Sequence, residues 1–325
     1  IHVSRRQTIA DPWGPAEFFA PVSSGGAGDV WASSPGQAEY NLSFADGDPM
    51  LYFTRATTVT GVDFNIWQVE VILLLDFNGD GAVDTKDLAI LIDSWGQADP
   101  LCDIGPFAWG DGVVDAADLE VLMSYWGQEV YDPTLLAHWA FDEVEGDIAY
   151  DSVGKHDGIV HGAPLWQPEG GVIGGALLFD GVDDCIETPL KMNPSAGPFS
   201  VFAWILAGAP GQVIVSQAGG AKWLMVEKEG VLATELPTAT PRTLLASQVS
   251  ITDGNWHRVG LTWDGSVWTL YVDDVKVAED VQPGLEDRDA IVYIGASGPT
   301  NRGRAATFFS GLIDDVRIYN RAVRP

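Results

Sequence analysis

The twelve residues from Asp76 to Asp87 are the stretch best equipped for chemistry. Oxygen-bearing side chains stand at positions 1, 3, 5, 9 and 12, and Gly81 stands at position 6, where a Ca²⁺ loop turns sharply. Ca²⁺ takes six to eight hard oxygen ligands, and this spacing delivers them within one short loop. Asp76, Asn78 and Asp80 would ligate by side chain, Ala82 by its backbone carbonyl, Asp84 directly or through water, and Asp87 would close the site. Glu is the usual twelfth residue; Asp87 has a shorter arm and must be brought closer.

A helix directly after the loop can position it. Leu88, Leu91, Ile92 and Trp95 fall at i, i+3, i+4 and i+7, which predicts a short amphipathic helix with these four on its buried face and Gly96 as its stop. The unit recurs: Asp111 to Asp118 matches Asp80 to Asp87 at an offset of 31 (111 minus 80), followed by Leu119, Leu122, Met123, Trp126 and Gly127. Positions 1 and 3 of a standard second loop would be Phe107 and Trp109, which cannot ligate. Asp103, four residues upstream, can open an enlarged loop with Asp111, the Val113 carbonyl, Asp115 and Asp118; a second loop without metal is the alternative. Duplicated loop-helix units ending in Asp resemble a dockerin, a Ca²⁺-dependent module that docks enzymes onto cohesins. That resemblance implies Ca²⁺ as cofactor and a cohesin-like partner, read at Thr85-Lys86 and Ala116-Ala117. The two pairs differ, which weighs against a symmetric dual docking mode.

Length allows two or three domains. Asp and Glu number 46 against 17 Lys and Arg, a formal charge of −29 that argues against nucleic acid or an anionic membrane as partner. No apolar run is long enough to span a membrane. Two cysteines, Cys102 and Cys185, make no disulfide framework; one bridge or two free thiols both remain open. The chain starts without Met and within a repeat pattern, so it is expected to be the C-terminal part of a longer, bacterial-type protein, secreted or at the cell surface, where Ca²⁺ is abundant.

Residues 1–72 hold strand-like runs at 1–4, 38–44, 50–54 and 64–71, separated by Asp/Gly/Pro turns at 11–15 and 45–49. Pro12-Trp13-Gly14, then Asp46-Gly47 with Leu51-Tyr52-Phe53, then Asn65-Ile66-Trp67 resemble the TolB-like β-propeller repeat. The resemblance implies a partial propeller of about one blade, with residues 1–6 ending a preceding blade. A helical module spans 73–130, and the polar stretch 128–134 reads as a linker.

From 135 to 325 the pattern is wholly β, with alternation at 136–141, 176–179, 199–205, 256–263, 267–272, 291–294 and 308–313. About 190 residues of short strands predict a sandwich or jelly roll. His138-Trp139-Ala140-Phe141-Asp142, the Asp151-Ser152 turn, Phe179-Asp180-Gly181 with Asp183-Asp184, Trp256-His257-Arg258 and Gly311 to Ala322 together resemble a LamG-like, concanavalin A-like jelly roll. Cys185 departs from the aromatic usual after the Asp pair. The fold class expected is therefore mainly β and multidomain: jelly-roll sandwich, small α-helical Ca²⁺ module and partial propeller. The resemblance also implies an ion bridging the first and last strands, at Asp142 and Asp314, with Asp180, Asp183 and Asp184 as alternatives.

Catalytic constellations are sparse. Retaining relatives of this fold carry Glu-x-Asp-x-x-Glu on one strand, and no such run exists; Glu143/Glu145 and Glu227/Glu229 read as solvated pairs. His138, His156, His161 and His257 stand in no recognisable Ser or Cys motif. Thirteen tryptophans can offer stacking faces, and Trp166, Trp223 and Trp268 are the candidate ligand contacts. The expected function is non-catalytic: a Ca²⁺-binding docking or adhesion protein with a carbohydrate- or protein-binding jelly roll. A polysaccharide hydrolase with its catalytic part upstream, or a structural spacer, are the alternatives.

Overall fold

The computed structural model describes residues 73–106, 110–130, 132–236, 244–281, 284–298 and 307–325 with their side chains, and the strands within 1–72 together with Thr243 as backbone. The chain divides into two compact units, 1–77 with 81–131, and 132–325 with 78–80.

The first unit opens with β1 (His2–Arg6), β2 (Glu17–Phe18), β3 (Glu39–Phe44), β4 (Met50–Ala56) and β5 (Phe64–Glu70). They form one antiparallel sheet in the order β2-β1-β5-β4-β3. β1, expected as the end of a preceding blade, instead pairs with β5 along its whole length, from His2↔Glu70 to Arg6↔Ile66. The turn clusters at 11–15 and 45–49, Pro12-Trp13-Gly14 among them, lie outside the described residues.

Next along the chain come two nine-residue helices, α1 (Thr85–Asp93) and α2 (Ala116–Ser124). Asp84 caps α1 by accepting from Lys86 N (2.8 Å), and Asp115 caps α2 by accepting from Ala117 N (2.8 Å). The helices and their loops are exchanged halves of one motif. Val83 donates to Gln128 O (3.1 Å) and accepts from Gly127 N (2.8 Å), just beyond α2. At the equivalent place in the other repeat, Val114 donates to Gln97 O (2.9 Å) and accepts from Gly96 N (2.8 Å), just beyond α1. Residues 127–130 are thus bound to the first loop rather than serving as linker. The buried core of Leu75, Phe77, Val83 and Leu91 is matched residue for residue by Cys102, Ile104, Val114 and Leu122.

The helix faces bear out half of the periodicity reading, Leu91 and Leu122 being fully buried with Leu88 and Leu119 packed on the core, and correct the other half. Ile92, Trp95, Met123 and Trp126 are 55%, 45%, 47% and 37% exposed. The buried stripe runs through Asp87–Leu91 and Asp118–Leu122, with the Asp87 and Asp118 carboxylates turned to the backbone of the preceding loops.

The second unit is all β: β6 (Leu135–Trp139), β7 (Ile148–Ala149), β8 (Gly158–His161), β9 (Leu165–Gln167), β10 (Ala176–Asp180), β11 (Cys185–Met192), β12 (Phe199–Ala207), β13 (Val213–Gln217), β14 (Ala221–Val226) and β15 (Val231–Leu236). It continues with β16 (Thr243–Ser250), β17 (Trp256–Trp263), β18 (Val267–Val272), β19 (Val275–Val281), β20 (Ala290–Ile294) and β21 (Ser310–Tyr319). One sheet runs β19-β18-β17-β12-β21-β10-β9 with β6 also on β21; the other runs β16-β15-β14-β13-β20-β11-β8-β7. Their inner faces enclose a core that includes Trp139, Phe199, Trp223, Trp263, Trp268 and Phe309. β21 serves two neighbours on one flank. Its first half pairs with β10 (Ile313↔Leu177) and its second half with β6 (Val316↔Trp139). Asp314 and Asp315 sit at that change of partner.

Candidate metal centres and ligand rim

In the first loop the backbone holds the carboxylates in place. Gly81 N donates to Asp76 Oδ2 (2.9 Å), Phe77 N to Asp87 Oδ1 (2.7 Å) and Asp84 N to Asp87 Oδ2 (2.9 Å). Asp80 N donates to Asn78 Oδ1 (3.2 Å), and Asn78 Nδ2 to Asp80 Oδ2 (2.8 Å). Asp87 reaches the loop despite its short arm because it stands in the first turn of α1, where its carboxylate also receives the amide of the cap residue. Asp76 and Asp87 are 1% and 0% exposed. Burying carboxylates costs several kcal/mol each unless charge is compensated, and an all-oxygen donor set fits Ca²⁺.

The second loop repeats this with an insertion. Asp103 takes Gly112 N on Oδ2 (2.8 Å), as Asp76 takes Gly81 N, and Asp111 N on Oδ1 (2.9 Å). Asp118 receives Ile104 N (2.6 Å), Gly105 N (2.8 Å) and Asp115 N (2.6 Å), the role of Asp87. The structure therefore ties Asp103 to the backbone of Asp111 and Gly112, and Asp118 to the backbone of Ile104, Gly105 and Asp115, while 107–109 lie outside the described residues. Asp111 and Val113 are exposed and Asp118 is buried.

In the jelly roll, Asp314 is 0% exposed. Its Oδ2 accepts from Val172 N (2.7 Å) and Ile173 N (3.0 Å), while its Oδ1 is buried with no hydrogen-bond partner among the described residues. Burial first, then the neighbouring charges of Asp315 and Asp142, push its carboxyl up to about 6 against the pull of those two amides. Asp142, exposed just beyond β6, accepts from Gly175 N on Oδ1 (2.6 Å). The β9–β10 loop thus clasps both carboxylates, and only glycine permits it. A Cβ on Gly174 (φ +76°) would lie 2.2 Å from Asp142 Oδ1, and one on Gly171 would lie 2.7 Å from Asp314 Oδ2. Phe141 (φ 55°) precedes Asp142 and Asp315 (φ 49°) comes after Asp314, so left-handed non-glycine backbone adjoins each carboxylate. Strain of this kind concentrates at functional sites.

Trp166 borders the same rim. It is half-buried, its Nε1 donates to Gly146 O (3.0 Å), and its ring lies 6.4 Å from that of Phe141. Val172 and Ile173, at the tip of the clasping loop, are 42% and 48% exposed. Trp223 and Trp268 are corrected as ligand candidates: both are fully buried in the sandwich core and offer no face to a sugar. Strand alternation cannot separate an inward from an outward tryptophan when both sheet faces are apolar.

Asp180, Asp183 and Asp184 bring carboxylate oxygens within 4.8 Å of one another. Their bonds are those of a turn: Asp184 takes Ala163 N (2.7 Å) and Asp180 N (2.9 Å), and Asp180 takes Val182 N (2.7 Å). Cys102 and Cys185 are not bridged to each other; Cys102 is core, and burial pushes the Cys185 thiol up to about 11.

One arrangement escaped sequence reasoning. Ser152 Oγ lies 2.8 Å from His138 Nδ1, and His138 Nε2 lies 2.6 Å from Asp315 Oδ1. His138 does have a serine partner, formed across 14 residues that no linear motif joins. The amides of Ser152, Val153, Gly154, Lys155 and His156 are all committed, to His138 O and to Asp151, leaving no oxyanion donor on that turn. Asp315 is also held by Arg317 Nε (3.1 Å).

Residues 180–325 match the family described as the concanavalin A-like lectin/glucanases superfamily. With its two antiparallel sheets, the second unit is a jelly-roll sandwich of concanavalin A-like, LamG-like type. Among solved structures, domain 4 of AbnA, a GH43 extracellular arabinanase from Geobacillus stearothermophilus in complex with arabinotriose, is similar at 18% identity and TM-score 0.40, over 58% of this chain and 94% of that one. A Trypanosoma rangeli sialidase is similar at 17% identity and TM-score 0.43, over 88% of this chain and 43% of that one, so this chain spans less than half the sialidase's length. The binding domain of botulinum neurotoxin DC is similar at 11% identity and TM-score 0.45, over 58% of this chain and 48% of that one. Among curated proteins none matches.

Proposed function

We propose that this chain is a non-catalytic, extracellular carbohydrate-binding protein, with Ca²⁺ holding its two helical loops and the rim of its jelly roll. The observation that carries the reading is the convergence at one rim of Asp314, with its orphaned buried oxygen, and Trp166, the one accessible tryptophan of the three candidates. A lone buried carboxylate oxygen costs about 1–3 kcal/mol or more unless something satisfies it, and a divalent cation shared with Asp142 does so. Ca²⁺ would supply charge compensation and fix the β9–β10 loop; Asp142 and Asp314 would hold it. Trp166 then presents an apolar ring for the C–H face of a sugar.

Asp314, raised, beside Asp142 also has the pattern of a glycosidase acid and its partner. Asp314 is 0% exposed, however, and cannot reach a glycosidic oxygen. Together with the missing oxyanion donors near Ser152, this favours binding over catalysis. A second reading, docking of the helical module to a cohesin-like protein, is favoured by the paired exposure of Ile92/Trp95 and Met123/Trp126.

Calorimetric titration of Ca²⁺ into chelator-stripped protein tests the metal reading. Three sites are expected, with Asp80→Ala, Asp111→Ala and Asp314→Asn each removing one. Retention on immobilised polysaccharides, weakened in Trp166→Ala, tests the ligand reading. A chain that binds Ca²⁺ but retains no glycan is a spacer or docking protein instead.

A further inference from the structure

We infer that the glycan taken by this rim is neutral, and that polymers bearing uronate, sulfate or sialate are refused. The inference rests on the carbohydrate reading above and extends it to ligand class. The two segments that build the rim, 141–147 and 165–175, carry Asp142, Glu143, Glu145, Asp147 and Glu169 and contain no Lys or Arg. Asp142, Glu145, Asp147 and Glu169 are exposed. Proteins that take anionic ligands place Arg or Lys against them, because charge-assisted and bidentate bonds repay the desolvation of the anion. Here that device is absent from the rim, and five bases elsewhere in the unit are engaged, while Lys155, Lys191 and Lys228 are exposed on other segments. Arg258 pairs with Asp274, Lys222 with Glu235 (3.0 Å), Arg288 with Glu286 (3.3 Å), Arg317 with Asp315 (3.1 Å) and Arg321 with Asp132 (2.9 Å). A divalent cation would balance Asp142 and Asp314 and still leave Glu145, Asp147 and Glu169 exposed at the rim.

What the rim does offer is apolar surface between acceptors. Val172 and Ile173 are 42% and 48% exposed near the half-buried Trp166, and Val144 is 70% exposed on the other segment. Sugar C–H faces suit the former, and neutral hydroxyls donate to the carboxylates without a charge penalty. The formal charge of −29 extends the same preference to the molecule's long-range field.

The test is affinity electrophoresis and calorimetry of the whole chain, with and without Ca²⁺, against two panels. Linear arabinan, xyloglucan and mixed-linkage β-glucan are the neutral panel; polygalacturonate and chondroitin sulfate are the acidic one. At low salt at least one neutral polymer is expected to bind tenfold or more tightly than any acidic one, a gap of about 1.4 kcal/mol or greater. Val172→Ser with Ile173→Ser is expected to weaken that binding about tenfold with unchanged melting temperature, and Glu145→Lys with Glu169→Lys to admit polygalacturonate. Tighter binding of an acidic polymer overturns the neutral-ligand inference and leaves carbohydrate binding standing. Retention of neither panel overturns both.

Discussion

The glycines of the β9–β10 loop show how far one side chain can be read. Gly174→Ala places a Cβ 2.2 Å from Asp142 Oδ1 in a φ +76° backbone. It is expected to cost about 1–3 kcal/mol through backbone strain, and to abolish whatever ion Asp142 and Asp314 share. Chemical denaturation and Ca²⁺ titration of the variant check the two effects separately. His257 supplies a pH dependence away from any candidate ion. Burial works to lower its pKa, but hydrogen bonds to Asp273 (2.8 Å) and Asp253 (3.1 Å) outweigh this and raise it above the ordinary 6.5. The raised value means that the folded state binds the proton more tightly than the unfolded one. The stabilisation is complete below the ordinary histidine value and lost as pH rises through the folded one. His257→Gln is therefore expected to flatten the fall in melting temperature across that window.

At the scale of elements, the helical module behaves as two copies of one design. Leu91 and Leu122 are each fully buried at equivalent places, so Leu91→Ala and Leu122→Ala are expected to cost similar amounts, about 2–5 kcal/mol. Asp84→Ala and Asp115→Ala each remove a helix cap worth about 0.5–2 kcal/mol, measured as a shift in helical circular dichroism on heating. The loops, the helices and the offset between them were legible in sequence because their signal is local: oxygen spacing, a turning glycine, then apolar periodicity. The helix faces were legible only at Leu88, Leu91, Leu119 and Leu122. Periodicity gave Ile92 and Trp95 the inward side, but which face is buried depends on how Asp87 and Asp118 are drawn to the preceding loops, a contact between elements. Likewise the sandwich strands of strong alternation were visible, such as Trp256–Trp263. Short ones such as Ile148–Ala149 exist only because a neighbour at Gly158–His161 accepts them. Asp142 and Asp314 were paired through a family likeness; the glycine clasp and the buried orphan oxygen need the folded chain.

Across the whole molecule, the two units are expected to answer differently to chelation. If Ca²⁺ binds only the folded helical loops, stabilisation grows as RT ln(1 + [L]/Kd), about 2.7 kcal/mol at a hundredfold excess over Kd. Scanning calorimetry should then show one transition that moves down on chelation, with loss of helical signal, and one that moves less because the jelly roll keeps its large core. A single transition that ignores chelator would remove the metal from both. The order of assembly in the second unit is itself constrained. Its opening strand pairs along β21 from Val316↔Trp139 to Tyr319↔Leu135, and His138 meets Asp315 across 177 residues of chain. During synthesis at about 5–20 residues per second, the ladder between β6 and β21 is therefore expected to form on the order of 10 s after β6 is made. The jelly roll is thus expected to close late, its longest time as an incomplete sheet falling before β21 is made.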